Sequence, residues 1–388
     1  MIFRIFIFCF FAYVSPITIS LSQLIAGSFN LDVEIGSRLY IASTDFSSLL
    51  KNIYITDGAN VLTALTLTEL GLNVDRTMMG YEITTNKITI SGSEAYDYST
   101  MTGFIYITTA IQAKDSHFMV YPANVVSIIS IDMSNATAVF LNYDLDIVRR
   151  FDYIPLKSSR VTYLSNTSFQ IHWDEPRQGY NNGSMFSQQL VFSNPFKGDF
   201  YENIDPIQMN TNVWYIWIEN SLKLTIEPTW EDPNSIVSSG YTSTGMVMST
   251  FSVEDIKFNL KKDSRYGGES GFRLLYKVAN ITTFAMGESF AFNMFPDNYT
   301  TFQIRGAATA QTSDYLSITS APPHVGRFAI QYYQKQGDLL PTTIPARTVT
   351  NSRLISTSTT TTTTLSPTTT SNASRISFIL AFLITLKL

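Results

Sequence analysis

Short runs of alternating apolar and polar residues, closed by Gly, Asn, Asp, Ser or Pro, recur from Gln23 to Gln334. A two-residue period buries one face of an extended strand and leaves the other to solvent. Phe29, Leu31, Val33 and Ile35 interleave with Asn30, Asp32 and Glu34. The period returns at Ile88 and Ile90, at Phe104 and Tyr106, at Phe169, Ile171 and Trp173, and at Leu222, Leu224 and Ile226. It continues through Ile256, Phe258 and Leu260, through Phe272, Leu274, Tyr276 and Val278, and through Phe328, Ile330 and Tyr332. Runs of this kind, rich in Thr, Val, Ile, Tyr and Phe, predict an all-β chain of tandem antiparallel β-sandwiches. Asn60 to Leu72 has a helical face in Val61, Leu62, Leu65 and Glu69, but its threonines disfavour a helix, and it reads as strand or loop.

The sole cysteine is Cys9, and it falls in a segment with the form of a secretory signal peptide. Residues 1–20 carry one early charge, Arg4, an apolar run from Ile5 to Val14, and small residues around Thr18 and Ser20, where cleavage is expected. The mature chain is then free of disulfides and must hold itself by core size, a demand that the 13% aromatic content suits. Thiol reductants are therefore expected to leave its unfolding temperature unchanged. A reductant-dependent shift in a thermal melt would mean that the leader is retained and Cys9 is bridged.

The other end has its own signature. Ser356 to Ser371 is almost wholly Ser and Thr, with Thr359 to Thr364 unbroken, a composition without an apolar face to bury. It reads as a disordered, O-glycosylated stalk or, failing that, an unmodified linker. Small residues from Ser371 through Ser374 then precede an apolar run, Ile376 to Leu388, which is too short to span a bilayer. That pattern is one cut and replaced by a glycosylphosphatidylinositol (GPI) anchor, with attachment expected at Ser371 or Asn372; a short tail-anchored or simply secreted chain is the alternative. The resulting division is a leader at 1–20, a first sandwich at 21–160, a second at 161–335, a stalk at 336–371 and a tail at 372–388. Asn135, Asn166, Asn182, Asn280 and Asn298 each begin an N-x-[ST] triplet and are expected N-glycosylation sites in an exported chain; Asn372 begins one too, at the anchor signal itself.

Charge and motifs exclude more than they assign. Charged residues are only 15% of the chain, and 26 Lys plus Arg face 31 Asp plus Glu, so no basic field is present to grip nucleic acid. His117, His172 and His324 stand far apart, and the alternation places His172 on an outward face. No nucleophile elbow, phosphate loop or dinucleotide fingerprint occurs; Ser270 is followed at once by Gly271 in a turn-like GGESG. The acid pairs Glu94 with Asp97, Asp174 with Glu175 and Glu231 with Asp232 sit near turns, and nothing in the sequence brings two of them across a groove. One stretch, Val213 to Ile218, is apolar on both faces. It is either a central strand or, through Trp214, Tyr215 and Trp217, a surface on which a glycan could stack.

The segments IYITDG from Ile53, LTALTLTELG from Leu62, NKITISGS from Asn86 and MTGFIYI from Met101 together resemble the second half of a CUB domain. A second copy is echoed in FNLKKDSRYGGESGFRLLYKV from Phe258, through Asp263 and the Gly271-Phe272 pair, and a third at Gly326 to Tyr332. With the leader, stalk and tail, the chain is similar to nematode CUB-like surface proteins, a resemblance that implies lipid rafts and innate responses to infection or stress. The family's disulfide cysteines are missing, and the part before Lys51 is abbreviated. The positions of two calcium-binding acids hold Lys51 and Val213, so Asp57, Glu94, Asp97 and Asp263 are read as solvated turn residues and no metal or other cofactor is expected. The combined expectation is a non-enzymatic, GPI-anchored glycoprotein at the outer plasma membrane that binds a protein or glycan. A hydrolase on a β-scaffold and a structural coat protein are the alternatives.

Overall fold

A computed structural model describes residues 15–24, 28–142, 159–163, 167–177, 180, 189–196, 198–209, 211–228, 242–249, 256–260, 265–279, 281–286, 290–293, 311–312, 315–320 and 326–341. The chain falls into two units, Met1–Leu340 and Pro341–Leu388, and the second lies almost wholly outside the described residues. The first is all-β, and its sheets are mainly antiparallel.

The first sheet orders the strands Ile17–Ser20, Phe104–Ile107, Arg38–Ala42 and Tyr81–Glu82; the second orders Ser28–Asp32, Lys87–Gly92, Ile53–Asp57 and Asn60–Thr63. The third runs Leu190–Asn194, Phe169–Trp173, Val213–Ile218, Ala136–Leu141 and Phe118–Pro122, with the last two parallel. The fourth runs Ser127–Ile131, Leu222–Pro228, Ser159–Tyr163 and Ile207–Met209. Two further sheets are built mainly from residues after Ser243, the longer around a ladder between Tyr266–Ala279 and Gly326–Leu339. The expected boundary at 160 falls between strands that share a sheet, since Ala136–Leu141 pairs with Val213–Ile218 in register Val139 to Tyr215. Likewise Gly326–Leu339 continues past the expected stalk start at 336, and Ile17–Ser20, expected to leave with a leader cut near Ser20, pairs with Phe104–Ile107 in the first sheet and buries Ile19.

Three apolar clusters show how these sheets pack. Leu39, Ile41, Ile105 and Ile107 of the first sheet meet Ile53, Ile55, Ile88 and Ile90 of the second. The opposite face of the first sheet, through Tyr40, Ala42, Phe104 and Tyr106, meets Val139, Leu141, Val213 and Tyr215 of the third. The opposite face of the third, through Phe140, Ile171, Trp214 and Ile216, meets Ile129, Val161, Leu224 and Ile226 of the fourth. The first and third sheets are thus apolar on both faces, as strands buried on both sides must be. Their sequences RLYIA, FIYI, ATAVFL and VWYIWI are nearly continuous apolar runs, whereas the outer strands KITISG and LKLTIEP alternate.

Two local expectations are corrected. Asn60–Thr63 is a strand, but Ala64–Thr68 is a helical turn, capped by the Thr63 hydroxyl accepting from the Thr66 amide at 3.1 Å. The cap and packing of Ala64 and Leu67 outweigh the modest propensity cost of the threonines. In the closing ladder, Leu274 pairs with Ile330 and Tyr276 with Ala329, so a one-residue bulge at Leu275 interrupts the strict period expected from Phe272 to Val278.

Candidate functional site

Val213–Ile218 is the central strand of the third sheet, and this decides the fate of its aromatic residues. Trp214 is 0% exposed and stacks on Phe140 at 4.2 Å between ring centroids, with Tyr121 stacked on the far side of Phe140 at 5.5 Å. Tyr215, on the opposite face, is buried against the first sheet. The glycan-stacking surface expected from Trp214, Tyr215 and Trp217 is therefore not presented; only Trp217 is partly exposed. The cause is the second covered face, because a sheet between two others has no solvent side on which to display a ring.

The same layer reverses the expectation for His172. It is 3% exposed and lies flat on Tyr215, with ring centroids 4.7 Å apart and planes 5° apart. Nε2 stands 3.3 Å from Gln170 Oε1, while Nδ1 has no partner. Burial holds this imidazole down to about 3, so it is neutral at physiological pH. Desolvation also pushes the neighbouring Tyr106 and Tyr215 phenols up, and neither ionises.

Two of the acids, Asp57 and Asp97, are held by hydrogen bonds within the fold. Asp57, expected to be solvated, is buried. Its carboxylate accepts from the Thr84 amide and hydroxyl, both at 2.7 Å, from the Thr85 amide at 2.9 Å and hydroxyl at 2.5 Å, and from Tyr81 at 3.0 Å. Burial pushes Asp57 up, but the donors from Thr85, Thr84 and Tyr81 outweigh it and hold its carboxyl below the usual range. Asp97 accepts from the Ser99 amide at 2.9 Å, and Glu94 is exposed. Asp263, Glu231, Asp232 and His324 lie outside the described residues. Among the described residues no three or more His, Cys, Asp or Glu side chains gather as a metal site.

Of the expected modification sites, Asn135 is described: it sits exposed in the turn between Ser127–Ile131 and Ala136–Leu141, with φ of 52°. Asn166, Asn182, Asn280, Asn298, Ser371 and Asn372 lie outside the described residues.

A surface feature that sequence reading passed over stands beside the first sheet. Leu70 to Met79 forms a small finger in which Leu72 bridges Met78, the Asn73 amide donates to Thr77 O at 2.8 Å, and the Arg76 amide donates to Asn73 O at 3.0 Å. Inside the turn, Asp75 Oδ1 accepts from the Thr77 amide and hydroxyl, and Asn73 Nδ2 donates to the Thr77 hydroxyl. Its stem is fixed because the Met78 amide donates to Val120 O at 2.7 Å and because the Tyr40 ring lies against Gly80, where a Cβ would come within 2.7 Å of it. Four exposed apolar side chains ride on this frame: Leu70, Leu72, Met79 and, at the tip, Val74 at 105% exposure. The Asn73 and Asp75 turn chemistry between Gly71 and Gly80 was the available sequence signal.

Comparison with known proteins gives one family. A family model described as "Transmembrane glycoprotein" matches residues 34–387, and the family is not a CUB family. No curated protein matches. Among solved structures, a chain from the X-ray structure of the entire lipid-containing bacteriophage PM2 is 10% identical over 84% of this chain and 87% of that one, with a TM-score of 0.15, too low to inform the fold.

Proposed function

This chain belongs to the transmembrane glycoprotein family, and on that premise we propose that it is an anchored extracellular recognition module binding a protein or glycan ligand. The observation that carries this reading is the Leu70 to Met79 finger, whose internal hydrogen bonds hold Val74, Leu72 and Met79 in solvent. A loop ordered in advance loses little entropy on binding, and a rigid exposed apolar tip has no role in its own core. A binding role, rather than catalysis, is supported by the roles already taken by the chemistry-bearing side chains: His172 lies neutral in the core and Asp57 has its oxygens filled by five donors.

The leader delivers the chain to the cell surface, the Ser/Thr tract from Ser356 spaces the body from the membrane, and a GPI lipid attached at Ser371 or Asn372 holds it there. No helix among the described residues is long and apolar enough to cross a bilayer.

With a photo-crosslinking residue at position 74 of the full chain on intact cells, a discrete adduct is expected that Leu72→Asp abolishes. Labelling indistinguishable from that of the same probe at exposed Glu94 would contradict the finger's role.

A further inference from the structure

Thr137 is the second half of a signal whose first half is Asn135, and the fold treats the two residues in opposite ways. Asn135 is exposed on its turn in the left-handed conformation that asparagine tolerates. Thr137, two residues on, is 1% exposed, and its hydroxyl has no hydrogen-bond partner. Its backbone is locked in the sheet: it pairs with Trp217 on one side and Phe118 on the other, and its amide donates to His117 O at 2.8 Å. A hydroxyl sealed without a partner is a liability to the folded state, and the methyl of a valine would fill the place without it. An N-glycosylation signal, however, requires that hydroxyl.

We propose that Asn135 carries an N-linked glycan added before Ala136–Leu141 enters the third sheet, and that the Thr137 hydroxyl serves the transferase rather than the fold. The inference rests on the glycoprotein reading above. In the transfer, the Asn135 amide nitrogen forms a bond to C1 of the first sugar of a polyprenyl-diphosphate-linked oligosaccharide. The bond from C1 to the diphosphate oxygen breaks, the lipid diphosphate leaves, and the transferase takes the amide proton. Once the strand has paired, the enzyme can reach Asn135 but cannot read Thr137 unless the interior of the sheet opens. Exposure of Asn135 alone would predict no such order.

The test supplies one transferase, in microsomes with its lipid-linked donor, with two substrates: the nascent full chain during translation, and the folded full chain made in a host that lacks N-glycosylation. Occupancy of each triplet is read by mass spectrometry. Asn135 is expected to be filled on the nascent chain and at least about tenfold less on the folded one, because reaching Thr137 requires local unfolding. Equal filling in both would overturn the order. An empty Asn135 on nascent chains that are filled at Asn166, Asn182, Asn280 or Asn298 would overturn the site while leaving the glycoprotein reading intact; nascent chains filled nowhere would remove both. As a second measurement, Thr137→Val should lose the glycan at Asn135, yet melt no lower than the unglycosylated native chain. A lower melt would show that the hydroxyl serves the fold and overturn the proposal.

Discussion

Acidification from pH 6.5 towards pH 3 is expected to remove on the order of 4–5 kcal/mol of stability through His172, at about 1.4 kcal/mol per tenfold change in proton affinity. The folded imidazole is held down to about 3 against an ordinary 6.5, so the unfolded chain takes up the proton first as pH falls. Stability is therefore lost below about pH 6.5 and the loss levels off below about pH 3. Asp57 adds to the loss only at the acid end, since its carboxyl is held below the ordinary 3.8 and its stabilisation fades as pH falls from there through the folded value. Urea midpoints at pH 7 and about pH 4 should thus drop steeply in the native protein, by roughly 3 kcal/mol. His172→Phe keeps a ring against Tyr215 and removes the proton site, so its midpoints should change much less over the same range. Parallel curves for the two proteins would show that His172 is not sealed between the sheets.

Trp214→Ala is expected to cost on the order of 3–5 kcal/mol, a large share of a domain's stability, and to prevent secretion. The ring is wholly buried, and its removal leaves a cavity beside Phe140 that the surrounding strands cannot close. Trp217→Ala, at a partly exposed position, should cost only about 1–2 kcal/mol. Because Trp214 Nε1 has no hydrogen-bond partner, Trp214→Phe should retain most of the stability. Denaturation of the secreted variants separates core from ligand surface. A stable, secreted Trp214→Ala protein that had lost only ligand binding would restore the surface reading of this strand.

Periodicity made the strands legible and the layering only partly so. Runs such as LKLTIEP alternate because they form outer sheets with one wet face, and VWYIWI does not because both of its faces are covered. The strand FQIHW misled, since His172 looks like part of a solvent face and in fact is buried flat against Tyr215 under another sheet. Polarity tells which residues can face water, whereas coverage depends on a layer supplied by strands 60 or more residues away, as when Tyr106 and Ala42 meet Tyr215. Partner choice was hidden for the same reason: the pairing of Ala136–Leu141 with Val213–Ile218 leaves no local mark, so a boundary at 160 looked natural. The finger was missed because Leu70 and Leu72 read as the end of a strand or loop, while what holds the finger's stem is a distant clamp, the Met78 amide on Val120 O.

We propose an extracellular protein held to its membrane by lipid, in a family whose description is transmembrane. The small residues from Ser371 to Ser374 directly precede the apolar run from Ile376, the order in which the signal for such a lipid is written. Intact cells displaying the full chain, treated with phosphatidylinositol-specific phospholipase C, should release it into the medium as a glycosylated protein lacking the tail. Retention on the treated membrane, or complete recovery from the medium of untreated cells, would contradict lipid anchoring.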